Sequence, residues 1–116
     1  MQNFEIADLI AQQANSHKSY LEFLKHPSLS VGLYVLPAGG IEGQEPHTED
    51  EVYYVVSGRA MFTHADEEQP VQAGSILYVA ANVEHRFHNV TEALHIIVFF
   101  APAEYSNSST GSDLAT

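Results

Sequence analysis

Four side chains in the sequence have the types and the spacing of a metal site. Glu45, His47 and Glu51 fall in the stretch EPHTEDE, directly ahead of a run of β-branched and aromatic residues. Side chains two positions apart on an extended chain share a face, and these three have the same parity. His85 belongs to a second stretch, VEHRFHN, and would come from another strand. Neighbouring strands lie about 4.8 Å apart, so all four side chains can meet at about 2.0–2.2 Å from one ion.

The donor types indicate which ion would bind. Imidazole combined with carboxylate suits Fe(II), Mn(II) or Zn(II), and an acceptor on the second ring nitrogen would orient each histidine. The alternative is an acid-rich loop that is only solvated, with histidines that are surface residues or satisfied parts of the core. Tyr53 has the parity of Glu51, so it either hydrogen-bonds a ligand near the site or is a core aromatic residue.

Length, charge and composition narrow the class of protein. A chain of 116 residues with 45% hydrophobic residues predicts one domain with one packed core. The net charge of −11, with four lysines and arginines in all, argues against binding to nucleic acid or to an anionic membrane surface. The absence of cysteine excludes disulfides, iron–sulfur clusters and thiol nucleophiles. Met1 to Gln13 carries acids and no basic region, and the apolar runs are strand-sized, so we expect a cytoplasmic protein.

Short apolar or alternating runs, separated by turn residues about every eight to twelve positions, predict an all-β sandwich or barrel. The expected strands are 20–25, 30–36, 52–56, 59–64, 69–72, 76–79, 84–90 and 94–100. Ser57-Gly58 is expected to turn the chain between two of them. We expect three segments: an N-terminal helix over 1–16 that packs on the barrel, the barrel over 17–102, and a flexible tail over 103–116 rich in Ser, Thr, Asn and Gly.

The two histidine-bearing stretches resemble the two motifs of the cupin superfamily, small β-barrel proteins with a mononuclear metal centre. The matching positions are Gly39, His47, Glu51 and Gly58 in the first motif, and Gly74, His85 and Asn89 in the second. The resemblance implies a single-domain cupin barrel of the jelly-roll type with a short N-terminal helix. It also implies one divalent ion, Fe(II), Mn(II) or Zn(II), held by His47, Glu51, His85 and, in one reading, Glu45.

Three positions depart from the cupin pattern. Ala80 stands where the second motif has proline, and Asn82 stands where it has glycine; asparagine tolerates a left-handed backbone almost as glycine does. Glu45 stands where the first motif has its first histidine. Glu45 is then either a fourth ligand, or it points to solvent or acts as a base. In the second case a set of two histidines and one carboxylate remains, as in non-haem iron oxygenases.

The resemblance implies a small metal-dependent enzyme that acts on a small organic molecule. Dioxygenase-like activity is favoured, and isomerase, epimerase or lyase activity is open. The metal would activate an oxygen atom of the substrate, with Glu45 or Tyr53 handling the proton. The alternatives are a non-catalytic module that binds a small ligand or a metal, and a relic of the motif that binds no metal.

Other residues are assigned structural roles. His64 and His88 are expected to have structural roles. His95 could face the pocket from the last strand, but we expect it to lie outside. The expected apolar wall is Phe62, Phe87, Ile97 and Phe99. Small cupins commonly pair through their outer sheet faces, so outward-facing apolar side chains at Val52, Tyr54 and Val56 predict a homodimer.

Overall fold

The computed structural model describes residues 1–42 and 46–107, and within them the chain forms one helix and six strands. Their bounds are α1 Ile6–Ser16, β1 Tyr20–His26, β2 Leu29–Leu36, β3 Asp50–His64, β4 Glu67–Gln72, β5 Ile76–Val79 and β6 His85–Ala101. Glu45 and the end of the expected tail, residues 108–116, lie outside the described residues. The one helix of the described part, α1, is too short and too polar to cross a membrane.

All strand pairs are antiparallel and belong to one sheet. The strand order is β1-β2-β6-β3-β4, and β5 also pairs with β3. The prediction of an all-β fold of the jelly-roll type with a short N-terminal helix is therefore confirmed. One detail differs, because the hydrogen bonds among the described strands leave the sheet open between β1 and β4 rather than closing it into a barrel.

The two longest strands replace four expected ones. The turn predicted at Ser57-Gly58 is instead an irregularity inside β3, whose register against β6 shifts between Val55 and Met61. Gly58 has φ of 103°, and a Cβ atom there would lie 2.2 Å from the carbonyl oxygen of Ala93 in β6. A bulge of this kind bends a strand without ending it, and only glycine permits so close an approach.

The core has two parts, one on each face of the sheet. The inner part contains buried residues from every strand except β1, including Tyr53, Phe62 and Phe87. The outer part lies under α1 and consists of Leu9, Val31, Leu33 and Ile97. The expected apolar wall is therefore half correct: Phe62 and Phe87 face inward, whereas Ile97 belongs to the outer part and Phe99 is 37% exposed. Side chains alternate along β6, and its inward parity is that of Ile96, Val98 and Phe100.

Residues 103–107 differ from the loose tail expected there. They form turns after β6, with Ala103 and Glu104 buried. The N–H of Ala103 donates to the carbonyl oxygen of Pro27 at 3.3 Å, and the N–H of Ser106 donates to that of Ala103 at 3.0 Å. This C-terminal turn, residues 103–107, therefore lies against the end of the sheet where β3 begins.

Candidate metal centre

His47, Glu51 and His85 come together inside the sheet. One ligand atom from each lies within 4.8 Å of the others, and all three side chains are buried. His47 lies in the loop before β3, Glu51 is the second residue of β3, and His85 is the first residue of β6. Two strand starts and one loop therefore supply the three donors.

The loop between β5 and β6 is tied to the loop that carries His47. The N–H of Asn82 donates to the carbonyl oxygen of His47 at 2.7 Å, and the N–H of Ala81 donates to the carboxylate of Asp50 at 2.9 Å. Asn82 has φ of 66°, the left-handed backbone that glycine has in the motif. The departure from the motif at this position is thus accommodated, and the backbone still brings His85 to Glu51.

The orientation of His85 follows from its neighbours. Its Nδ1 lies 2.8 Å from the carbonyl oxygen of Val83, and because a carbonyl can only accept, Nδ1–H must donate. In the neutral ring the lone pair is then on Nε2. This atom lies 2.7 Å from Oε1 of Glu51 and 2.9 Å from the hydroxyl of Tyr53. In this neutral form His85 therefore presents an unprotonated nitrogen to the centre of the group.

His47 is oriented through a carboxylate. Its Nε2 lies 2.8 Å from Oε2 of Glu104, and its Nδ1 lies 3.7 Å from Oε1 of Glu51. Among the described residues Nδ1 has no hydrogen-bond partner, although the ring is only 8% exposed. Each histidine therefore has one nitrogen bound to an acceptor and the other facing Glu51, as metal-binding histidines do.

Glu51 is the most unusual residue of the group. It is 2% exposed, and within the described part of the chain neither carboxylate oxygen has a partner in hydrogen-bond geometry. Buried polar atoms in folded proteins are nearly always compensated, and Nε2 of His85 lies 2.7 Å from Oε1, so either a protonated His85 or a bound cation would balance this buried charge. A divalent cation among two imidazole nitrogens and this carboxylate fits the unpaired atoms. The donor set is compatible with such an ion.

Nearby carboxylates control the charge of both histidines. Burial lowers the pKa of each ring, but the hydrogen bond from His47 to Glu104 and the contacts of both rings with Glu51 outweigh burial. The pKa of His47 and that of His85 are therefore raised above the ordinary value. Without an ion, these rings hold protons more firmly than free imidazoles, so a metal has to displace protons to bind.

Tyr53 lies inside the core beside the group. It is 2% exposed, and its hydroxyl is bound to His85 as described above. Burial, followed by the charges of Glu51 and Glu42, raises the pKa of Tyr53 well above the ordinary value. Its hydroxyl keeps its proton and acts as a hydrogen-bond donor rather than as a base.

Sequence reasoning missed three buried carboxylates near the group: Glu42, Glu49 and Glu104. Glu42 accepts the N–H of Phe87 at 2.8 Å, and burial raises its pKa. Glu104 binds His47, and Glu49 accepts two N–H groups from the C-terminal turn. Glu42 and Glu49 stand in an acidic stretch, which is the only sign of them in the sequence. Glu104 has no motif or spacing that marks it.

The described residues form two cavities beside the side chains of His47, Glu51 and His85. The inner one is about 10 Å³, the size of one water molecule, and is lined by Tyr20, Tyr34, His47, Tyr53, Val98, Phe100 and Glu104. The outer one is an open depression of about 410 Å³, lined by Glu42, Pro46, Thr63, Ala65, Glu84, His85 and Arg86. His85 and Glu42 border the depression, so this is the side from which a small polar molecule can approach the group.

The other candidate histidines do not join the group. His95 Nδ1 lies 3.1 Å from the hydroxyl of Ser57, and His88 contacts Thr63, Glu68 and Asn89. His64 opposes His85 in the pairing of β3 with β6. His88 therefore has partners of its own, consistent with the structural role expected for it.

Comparisons with known proteins place the chain in a family. The family model described as Cupin domain matches residues 32–100. The uncharacterised protein SCO3923 of Streptomyces coelicolor is 46% identical over 104 residues, which cover 90% of this chain and 99% of that protein.

Solved structures agree on the fold. The structure of TT1209 from Thermus thermophilus superposes with a TM-score of 0.74 at 19% identity and covers 89% of this chain and 99% of that one. The structure of BH2720 from Bacillus halodurans gives a TM-score of 0.71 at 17% identity and covers 87% of this chain and 82% of that one. The family match, the 46% identical relative and the shared jelly-roll fold together show that this chain belongs to the cupin family.

Proposed function

We propose that the protein binds one divalent transition metal ion through His47, Glu51 and His85 and is a small metal-dependent enzyme acting on a small organic molecule. The observation that carries this proposal is the convergence of His47, Glu51 and His85, in which Nδ1 of His47 and both oxygens of Glu51 are buried without hydrogen-bond partners among the described residues. The hydroxyl of Tyr20 and one oxygen each of Glu42 and Glu104 are also buried without partners but do not belong to this group. Fe(II), Mn(II) and Zn(II) are the candidate ions for such a donor set.

Within this class we favour dioxygenase-like chemistry. Two histidines and one carboxylate are the ligand set of non-haem Fe(II) oxygenases, which keep coordination positions open. The bound ion would supply Lewis-acid activation of a substrate oxygen or of O₂. If Nε2 of His85 bound the ion, the Tyr53 hydroxyl that contacts this nitrogen would be free to donate a hydrogen bond to a substrate oxygen that reaches the ion, and the apolar residues around it would exclude water. If the bound ion were Mn(II) or Zn(II), we would favour isomerase, epimerase or lyase chemistry instead.

Glu45 keeps the possibilities expected from the sequence, a fourth ligand, a base or a residue that points to solvent. As a fourth ligand it would add a second negative charge to the site and favour hard ions. As a base it would accept a proton from the substrate near the metal. A Glu45→Ala variant separates these roles, because loss of the ion indicates a ligand, whereas loss of turnover with the ion retained indicates a base.

A second candidate is a cupin that binds a metal or a small ligand without turnover. The size of the inner cavity, about 10 Å³, favours the metal-binding form of this candidate, because no organic molecule fits there. The enzyme hypothesis therefore requires the substrate to bind in the outer depression and to reach the ion past His85.

The first experiment is elemental analysis of the purified protein beside Glu45→Ala and His85→Ala. We expect about one equivalent of a transition metal in the wild type and none in His85→Ala. If neither the purified protein nor protein refolded with Fe(II), Mn(II) or Zn(II) holds an ion, the metal-centre proposal fails. Oxygen uptake by the Fe(II)-loaded protein with small organic acids or diketones then separates the enzyme from the binding module.

We also propose a homodimer that forms through the outer face of β3, β5 and β6. Tyr54, Ile76 and Tyr78 are 42%, 70% and 61% exposed and neighbour one another across the β3–β5 pair, and Phe99 extends the patch onto β6. Val56, one of the residues expected there, packs instead against the outer core. We expect light scattering to give twice the chain mass for the wild type and a monomer for Tyr78→Lys. A monomeric wild type would refute the dimer.

A further inference from the structure

We propose that Glu104 is a positioning residue for the metal centre: it holds His47 in the tautomer and orientation in which Nδ1 is a ligand. This proposal rests on the metal site proposed above. It assigns a function to the C-terminal turn, residues 103–107, because Glu104 is the only residue of that turn within hydrogen-bond distance of a proposed ligand among the described contacts.

The contact between Glu104 and His47 is buried and direct. Oε2 of Glu104 lies 2.8 Å from Nε2 of His47, and the two residues are 4% and 8% exposed. An ionised carboxylate can only accept, so Nε2 must carry the proton. In the neutral ring the lone pair is then on Nδ1, the atom that faces Glu51 at 3.7 Å. The negative charge on the far side of the ring also makes Nδ1 a stronger base for a metal.

Glu104 lies on the wrong side of the ring to be a ligand itself. It approaches Nε2, whereas the convergent group of donor atoms contains His47, Glu51 and His85 but not Glu104. A metal bound to Nδ1 leaves the Nε2–H bond to Glu104 intact. The carboxylate therefore acts through His47 and not on the ion.

The backbone of the turn is fixed by contacts that do not involve the Glu104 side chain. The N–H of Glu104 donates to the hydroxyl of Ser30 at 2.9 Å. The carboxylate of Glu49, which is 1% exposed, accepts the N–H groups of Tyr105 at 2.7 Å and Asn107 at 2.9 Å. Because Glu49 stands two residues after His47, the turn is anchored to the same loop that carries the ligand. Changing the Glu104 side chain should leave these contacts in place.

The test compares Glu104→Gln and Glu104→Ala with the matched control Ser30→Ala, which loosens the turn and keeps the carboxylate. Co(II) is the probe, and its visible absorption reports binding. We expect affinity to fall about 10-fold in Glu104→Gln, which keeps an acceptor, and about 100-fold in Glu104→Ala. Ser30→Ala should stay within about twofold of the wild type. Equal losses in all three variants would mean that the turn only supports the fold, and would overturn the proposal.

A second measurement needs no metal. Nitrogen-15 NMR of the histidine rings in the metal-free protein at alkaline pH, where the rings are neutral, reports which nitrogen holds the proton. We expect the Nε2–H form for His47 in the wild type and in Ser30→Ala, and a shift toward Nδ1–H in Glu104→Ala. An Nδ1–H form in the wild type would overturn the proposal.

The two measurements separate this proposal from the metal site itself. If the wild type binds no Co(II), the metal centre fails, while the ring protonation still decides whether Glu104 sets the tautomer. If Glu104→Gln loses Co(II) as completely as His85→Ala, Glu104 is a ligand and the positioning role is wrong. If Glu104→Ala binds Co(II) as tightly as the wild type, Glu104 has no role in the centre.

Discussion

Two histidines of β6 lie three residues apart and have opposite surroundings. His85 faces the buried group with Glu51, whereas His88 belongs to an outer network of Thr63, Glu68, His88 and Asn89. Each has a carboxylate oxygen at 3.0 Å or less from Nε2. The carboxylate beside His88 is 55% exposed and in water, whereas that beside His85 is 1% exposed.

The outer network and the inner group differ in how many of their polar atoms have hydrogen-bond partners. His88 Nε2 also lies 2.7 Å from the hydroxyl of Thr63, and its Nδ1 lies 2.7 Å from Oδ1 of Asn89. Both nitrogens therefore have partners. In the inner group both nitrogens of His85 also have partners, Val83 and Tyr53. The contrast lies in Nδ1 of His47 and the Glu51 oxygens, which are buried without hydrogen-bond partners among the described residues. A histidine next to an acid is thus weak evidence for a metal, and unpaired buried donors are stronger evidence.

The largest expected effect is on metal binding itself. His85→Ala removes a proposed ligand and should abolish stoichiometric metal, whereas His88→Ala, three residues along the same strand, should keep about one equivalent. Elemental analysis of both variants after identical loading gives the answer. Metal loss in His88→Ala, or metal retention in His85→Ala, would break the distinction between the two regions.

Glu51→Gln should abolish metal binding and raise the stability of the metal-free protein. At alkaline pH, where both inner histidines are neutral, the carboxylate is buried without a compensating partner, and an amide of the same shape relieves this cost. We expect the metal-free variant to gain about 1–3 kcal/mol of unfolding free energy in urea and to lose metal binding. Glu68→Gln in the outer network should change stability by less than about 0.5 kcal/mol. Destabilisation of Glu51→Gln at alkaline pH would show that the inner carboxylate is satisfied after all.

The stability of the metal-free protein against urea should depend on pH through the histidines of the inner group. The pKa values of His47 and His85 are raised, so the stability that they contribute is fully present below about pH 6.5 and is lost as pH rises through the folded values. The raised pKa of Glu42 acts in the same direction. We expect the urea midpoint with chelator to be lower at pH 8 than at pH 6. A midpoint that rises over this range would contradict the assignment, and saturation with metal should reduce the loss, because the ion replaces the protons.

A small effect on stability, with none on metal binding, is expected from Thr63 in the outer network. Thr63→Val removes the hydroxyl that contacts His88 and should cost about 1 kcal/mol in unfolding free energy, with metal content unchanged. Urea unfolding and elemental analysis of one preparation measure both quantities. A loss of metal in this variant would mean that the two regions are coupled across the sheet.

The fold was readable from the sequence because its signals are local. Strand periodicity, the motif glycines and the tolerance of Asn82 for a left-handed backbone each depend on neighbouring residues, and φ of 66° at Asn82 agrees with that reasoning. The prediction of a turn at Ser57-Gly58 was wrong because it also depended only on neighbouring residues. A Ser-Gly pair marks a change of direction, but whether it becomes a turn or a bulge depends on pairing with Ala93 in a distant strand.

The site was readable only in part. The spacing of His47 and Glu51 and the second motif around His85 predicted three side chains that do lie together. Glu104 could not be predicted, because it is 57 residues from His47 and sits in a segment whose composition is typical of a tail. Glu45 stays a prediction. A hydrogen-bond partner that tertiary packing brings to the site has no regular spacing in the sequence, whereas proposed ligands on the same strand recur at every second position.

The hydrogen bond between His47 and Glu104 also has a consequence for the order of events during synthesis. His47 emerges from the ribosome long before Glu104, so the nascent chain carries a histidine whose ring can rotate freely and whose tautomer is not set. Contacts between residues so far apart form late in folding. Under the metal-centre proposal, His47 becomes a ligand in the required tautomer only after the sheet is complete and residue 104 has docked.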